Sequence, residues 1–300
     1  MHKRALPALL VVLSVPLRLI GQVAQNPSPM TDTTRPHPRI AEARAAGKRL
    51  NLPLGELFLS EKFVVRDQVP LVVHFHGDSW LIEQHISKSA PGAALLTINL
   101  GAGSSRYAVP FGEPARFPML LDEAASGVGM MTGRRPVWSS VTLTSFSAGY
   151  GAVRAILQAP DNAALVNNVL LADSLHASYM SEGDVSAARA VDLPVDIAGV
   201  AAFVDFATDA LANRKRLWIT HSEVYPGTYA STTETANLLL STLKIERRAV
   251  LERGPIGMQQ LSAARSGGVV VAGFAGNSAA DHVDHLYALG DWLREWGAIR

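Results

Sequence analysis

Val141-Thr142-Leu143-Thr144-Ser145-Phe146-Ser147-Ala148-Gly149-Tyr150-Gly151-Ala152 reads as a strand, a tight turn and the first residues of a helix. The turn has the pattern small-x-Ser-x-Gly. A connection this sharp requires small residues two before and two after the serine, because larger side chains would strike the neighbouring backbone. It lifts the Ser147 hydroxyl out of the chain at a helix N-terminus, where the helix dipole favours developing negative charge. The same letters also fit a plain strand–helix turn whose serine only caps the helix.

Further apolar runs lie on either side, at residues 54–63, 69–75, 94–100, 168–172, 217–220 and 268–274. Their continuous apolar character predicts strands buried on both faces of a mainly parallel sheet. Residues 149–158, 201–214, 233–243 and 282–296 have helical spacing. Strand–helix alternation predicts right-handed crossovers and a doubly wound α/β sheet, with ligands at the C-terminal ends of the strands.

With strand before and helix after, the turn resembles the nucleophile turn of the α/β-hydrolase superfamily, in which Ser145 replaces the first glycine of G-x-S-x-G. The resemblance implies the α/β-hydrolase fold, a mainly parallel doubly wound sheet flanked by helices, and Ser147 as nucleophile. It also implies the chain order serine, acid, histidine. Two acids fit: Asp173, directly after the run 168–172, and Glu223, after the run 217–220. Asp173 is the first choice. Two histidines follow the last strand, His282 and His285. His282 is the first choice, on the expectation that Asp281 caps the final helix and Asp284 completes a capping box. A start nearer Ser278 is the alternative. Leu71-Val72-Val73-His74-Phe75-His76-Gly77-Asp78 resembles the His-Gly loop of the same superfamily. The implied oxyanion donors are the N–H of Ala148 with that of Gly77 or Asp78.

His74 and His76 form an H-x-H pair that invites a metal reading, but further ligands at fixed spacing are missing, so no metal is expected. Residues 99–107 carry Gly-x-Gly without the third glycine of a dinucleotide loop, and they are expected to wall the mouth of the site. No cofactor is expected. Residues 225–231 carry two tyrosines beside hydroxyls. They fit a loop stacking on a sugar or aromatic ring, and equally a turn before a helix capped by Ser231 or Thr232 with Glu234 or Thr235 nearby.

Residues 1–25 read as an export signal: His2, Lys3 and Arg4 precede a short apolar run, which is too short to span a bilayer. Residues 26–39, rich in Pro, Thr and Ser, are expected to be a flexible leader, and 40–300 one catalytic domain. The chain has 300 residues, 48% of them hydrophobic, enough for one large core. It has no cysteine, which excludes disulfides, thiolate metal sites and a cysteine nucleophile. A net charge of +1 with no basic stripe argues against nucleic acid as partner.

The reading predicts a secreted or periplasmic serine hydrolase acting on a small-molecule or carbohydrate ester, with no stable membrane insertion after signal cleavage. A peptidase or amidase on the same fold is the alternative, as is a binding protein that has lost catalysis. The sequence offers no long hydrophobic lid, which speaks against a triglyceride lipase.

Overall fold

The apolar runs become strands because both of their faces find helices to pack on. The computed structural model describes residues 35–180, 194–297 and 299. The export signal and residues 26–34 of the leader lie outside the described residues.

Among the described residues the strands are β1 (Gly47–Leu52), β2 (Gly55–Ser60), β3 (Gln68–Phe75), β4 (Ala94–Ile98), β5 (Val137–Phe146), β6 (Asn168–Ala172), β7 (Arg216–His221), β8 (Arg248–Arg253), β9 (Gln259–Ser266) and β10 (Val269–Phe274). They form one sheet in the order β1-β2-β4-β3-β5-β6-β7-β10-β9-β8. The centre, from β4 through β3, β5, β6 and β7 to β10, is parallel. Both edges are antiparallel. The helices are α1 (Ser79–Ser89), α2 (Ser104–Phe111), α3 (Arg116–Thr132), α4 (Tyr150–Gln158), α5 (Pro160–Leu165), α6 (Ala201–Leu211), α7 (Thr232–Leu243), α8 (Ala279–Tyr287) and α9 (Leu289–Trp296).

Alternate residues of the central strands feed two cores. Leu71, Val73, Phe75, Leu143, Val169 and Leu171 pack against α2, α3, α4, α6 and α7 on one face. Val72, Phe146, Leu170 and Ala172 pack with residues of α1, α8 and α9 on the other. With period two and apolar residues in both phases, these strands are buried on both sides, as the sequence predicts.

The structure departs from expectation at the edges. β1, β8 and β9 come from the stretches GKRLNL, RAVLER and QQLSAARS, which lack a continuous apolar run. β8 is almost wholly exposed, and Arg248, Glu252 and Arg253 stud this free edge, where charge discourages pairing with other chains. The final helix is two, α8 and α9, with Ala288 between them. It also starts earlier than expected. Ser278, not Asp281, is the N-cap: its Oγ accepts from Asp281 N–H, while the Asp281 carboxylate accepts from Ser278 N–H in a capping box. Asp284 therefore has no capping role. Residues 35–39, expected to be the end of a flexible leader, lie along α8 instead, with Arg35, His37 and Arg39 bonded to Asp284.

The turn between β5 and α4 sets the distance between two strand ends. A Cβ on Gly149 would lie 2.2 Å from the Phe75 carbonyl oxygen, at the end of the neighbouring strand β3. Gly149→Ala is therefore expected to destabilise the fold by about 3 kcal/mol or more, since backbone must move. Gly92→Ala is the control, because a Cβ there meets nothing within 4 Å. Urea unfolding of both variants checks this, and equal midpoints would overturn it.

Candidate active site

Connections that leave the C-terminal edge of the parallel strands converge. The first leaves β5. Phe146 is extended, Ser147 has φ of 47°, and Ser147–Gly149 forms a single 3-10 turn before α4. A left-handed serine costs roughly 1–3 kcal/mol and persists only where the surroundings impose it. Here they do: besides Gly149 against Phe75, a Cβ on Gly151 would lie 2.2 Å from the Ser104 carbonyl oxygen. Ser145, where the superfamily pattern has glycine, is fully buried. Its Oγ donates to Ser174 Oγ at 2.8 Å, and Ser174 Oγ donates to the Ser147 carbonyl at 2.8 Å. The extra hydroxyl thus ties the turn to the chain leaving β6. Ser147 Oγ itself makes no hydrogen bond to a described residue, so it does not act as a helix cap there.

The second connection leaves β6 with Asp173, at φ of 45° and fully buried. Its carboxylate accepts from Ser222 N–H at 2.9 Å, Ser222 Oγ at 2.6 Å, Thr232 Oγ1 at 2.5 Å and His282 Nδ1 at 2.6 Å. Burial alone would raise its pKa. The neighbouring His285 and His282, with the hydrogen bonds from His282 and Ser222, outweigh that and hold it well below the usual carboxylate range. With Nδ1 donating to Asp173, the free lone pair of His282 lies on Nε2. Its ring packs on Phe146 at 4.5 Å between centroids, which sets it beside the turn that carries Ser147. The Ser147–His282 hydrogen bond is not closed in this structure. Such contacts commonly tighten only around substrate.

The alternatives fall elsewhere. Glu223 is exposed, its N–H donates to the Gly276 carbonyl, and its carboxylate accepts from Gly276 N–H at 3.2 Å. It joins two loops and makes no hydrogen bond to His282. His285 is fully buried against Phe274, and its Nδ1 pairs with Thr220 Oγ1 at 2.7 Å.

The third connection leaves β3. His76 has φ of 70° and Gly77 of 142°. His76 Nδ1 pairs with Tyr107 Oη at 2.8 Å, and the same Oη accepts from Leu100 N–H at 3.0 Å. The His76 ring lies parallel to Phe146, 5.8 Å away, on which His282 also packs. The N–H groups of Gly77 and Asp78 donate to no described residue. His74 is fully buried, with Nδ1 on Thr144 Oγ1 and Nε2 on the His76 carbonyl. Both its nitrogens are engaged, so the H-x-H pair does not converge on a cation. Among the described residues, His37, Asp281 and Asp284 bring three potential metal-ligating atoms together. Arg35 and Arg39 pair with the same carboxylates. Two guanidiniums in that place oppose a cation.

Residues 225–231 form the turn before a capped helix. Ser231 caps α7 in a box with Glu234. Tyr229 meets His176 edge-on at 5.1 Å, and Tyr150 meets the same ring at 5.4 Å. Residues 99–107 contribute Tyr107 behind His76. Sequence reasoning missed Ser174, Ser222 and Thr232. Their only signal is position, since each follows a strand or precedes a helix next to a residue already singled out. A cleft of about 400 Å³ between α4, α5 and α6 has neither serine nor histidine in its lining and is unrelated to this constellation.

No family model matches the chain, and no curated protein matches it by sequence. Among solved structures, it is similar to an acylaminoacyl peptidase of Pyrococcus horikoshii, with 15% identity over 83% of this chain and a TM-score of 0.44. It is similar to an enterochelin esterase from Shigella flexneri, with 13% identity over 85% of this chain and a TM-score of 0.47. The third is carboxyl esterase 2 of Tuber melanosporum, with 14% identity over 88% of this chain, 89% of that protein and a TM-score of 0.44. The chain spans only 40% of the peptidase and 60% of the enterochelin esterase. At these identities and scores the likeness says nothing about which residues act, or on what.

The buried histidines make stability depend on pH. Burial first of all pushes His74 down to about 3, and His85, His176, His221 and His285 to about 4. In the unfolded chain a histidine titrates near 6.5. As pH falls below that value the unfolded state takes up protons that the native state refuses. Each such histidine then withdraws up to ~1.4 kcal/mol per pH unit until its folded value is reached. Asp173, with its depressed folded value, acts in the same direction at lower pH. The urea midpoint is expected to fall steeply between about pH 7 and 5. A flat profile across that range would refute the buried neutral histidines.

Proposed function

We propose that this chain is an exported serine hydrolase of the α/β-hydrolase type that cleaves an ester. The observation that carries the reading is His282 Nδ1 on the buried Asp173 carboxylate, with the His282 ring packed on Phe146 beside the left-handed Ser147. This arrangement supports reading Ser147 as nucleophile, His282 as base and Asp173 as the orienting acid. His282 Nε2 takes the Ser147 proton as Oγ attacks the acyl carbon. Asp173 stabilises the imidazolium that forms. The oxyanion rests on the N–H of Ala148 and that of Gly77 or Asp78, each such donor being worth about 3 kcal/mol of barrier. The imidazolium returns its proton to the leaving alcohol oxygen as the acyl–oxygen bond breaks. Water, deprotonated by the same nitrogen, releases the acid and restores Ser147.

The substrate class we infer is an ester carrying a ring, aromatic or carbohydrate. Tyr150 lies three residues beyond Ser147 and His176 three beyond Asp173, and with Tyr229 they form an aromatic group beside the acid. Flat faces with phenol hydroxyls suit stacking on such rings.

Ser147→Ala is expected to lower ester turnover by about 10⁴-fold or more, and His282→Ala similarly, as loss of a triad member does. His285→Ala should cost stability far more than rate. Fluorophosphonate labelling of the wild type, and its loss in Ser147→Ala, separates an enzyme from a binding protein. Parallel assays on p-nitrophenyl acetate and a p-nitroanilide separate esterase from amidase. Activity of Ser147→Ala within tenfold of wild type would falsify the assignment. Intact mass after export is expected to place the mature N-terminus near Gln25 or Asn26, and a product retaining Met1 would contradict cleavage.

A further inference from the structure

The stretch Arg35-Pro36-His37-Pro38-Arg39 alternates basic side chains with proline. Proline fixes its own φ and biases the residue before it towards extended backbone. An extended chain sends alternate side chains to opposite sides. In the structure Pro36 and Pro38 are exposed, while Arg35, His37 and Arg39 all turn to α8. They converge on Asp284, whose side chain is wholly buried. Arg35 and His37 Nδ1 share Asp284 Oδ2, His37 at 2.7 Å, and Arg39 reaches Oδ1 at 2.6 Å. Arg35 also reaches Asp281 Oδ1 at 3.0 Å, and Arg39 lies over the Tyr287 ring at 4.7 Å.

These contacts fall on either side of His282. Asp281 precedes it and closes the capping box that starts α8, and Asp284 is two residues beyond. α8 is only nine residues long and is separated from α9 at Ala288. Its inner face is pinned by His285 on Thr220. On Asp284, every cationic partner among the described residues comes from residues 35–39. A buried carboxylate stripped of its partners must regain water or a proton, and either change moves the helix that carries it.

We propose that Arg35, His37 and Arg39 are positioning residues for His282, a strap across α8 that holds the imidazole against Asp173. The proposal rests on the reading of His282 as the base. It also makes residues 35–39 a required part of the mature enzyme, ten residues beyond the expected cleavage near Gln25.

The test compares the full chain with Arg35→Ala/Arg39→Ala, Arg35→Lys/Arg39→Lys and Asp284→Asn. Two quantities are read at a temperature where each is folded: kcat per fluorophosphonate-titrated site, and the downfield proton resonance of His282 Nδ1 bonded to Asp173. In the alanine pair kcat per site should fall about 10- to 100-fold with KM nearly unchanged, because a small misplacement of a catalytic group acts on the reacting geometry. The proton signal should broaden or shift, and the lysine pair should recover part of both. If the alanine pair does not fold, Asp284→Asn carrying the same two alanines takes its place. That triple variant should match Asp284→Asn alone, since the charge needing the strap is gone. Unchanged kcat per site and an unchanged proton signal, with only the melting temperature lowered, would reduce the strap to structure and overturn the proposal. If the wild type takes no fluorophosphonate, the hydrolase reading fails, and the proton signal by itself still decides the strap.

Discussion

Gly149 and the Phe75 carbonyl approach so closely that not even a methyl group fits between them. Everything at the site depends on that contact. It brings the exit of β5 down onto the exit of β3, so the chain has no room to leave β5 gently. Ser147 must take up the difference in a left-handed conformation that only glycine adopts cheaply. The same approach puts the first turn of α4 beside the loop of His76 and Gly77. The proposed nucleophile and the proposed oxyanion donors are thus two consequences of one steric constraint.

A second constraint is electrostatic. Asp173 is a carboxylate with no exposure, and such a group survives only when its lone pairs are filled. Four donors do this, from Ser222, Thr232 and His282. They come from the loop after β7, the start of α7 and α8, so the charge draws three connections to one point. Burial alone would favour the neutral acid, but the neighbouring His285 and His282, with the hydrogen bonds from His282 and Ser222, keep Asp173 ionised. Ser145 belongs to a separate polar chain that runs through Ser174, the residue after Asp173. A glycine there would satisfy the turn sterically, but it would remove the hydroxyl that bonds Ser174 Oγ, the group that in turn donates to the Ser147 carbonyl.

The parts of the fold legible in the sequence are those in which burial writes itself into composition. β6 was readable to the residue because all five of its side chains are buried. β1 and β8 were not, because half-exposed edge strands carry lysine, arginine and glutamate at positions that strand periodicity alone would leave ambiguous. α3 is absent from the predicted helices although its pattern is legible, since Phe117, Leu120, Leu121, Ala124 and Val128 are all buried at helical spacing. At the site, residues that follow strands were legible and their partners were not. Thr232 reaches Asp173 across 59 positions of sequence, and nothing local marks it. Proline at 36 and 38 suggested a loose leader, whereas in this setting proline lowers the entropy lost when an extended segment is ordered.

The choice between His282 and His285 shows how much turns on depth. Spacing cannot separate them, since both point inward from the same helix. Asp281 is not the cap of α8: Ser278 is, and His282 lies one turn deeper in the helix than an Asp281 cap would put it. The preference for His282 rests instead on another ground. A general base must accept a proton and hold it briefly, so it needs a counter-charge and a path to water or substrate. His285 has neither solvent nor a hydrogen bond to a carboxylate, and burial drives its pKa to about 4. His74, His176 and His221 are excluded on the same ground. His282 alone among these combines a carboxylate on Nδ1 with a side chain that is 22% exposed.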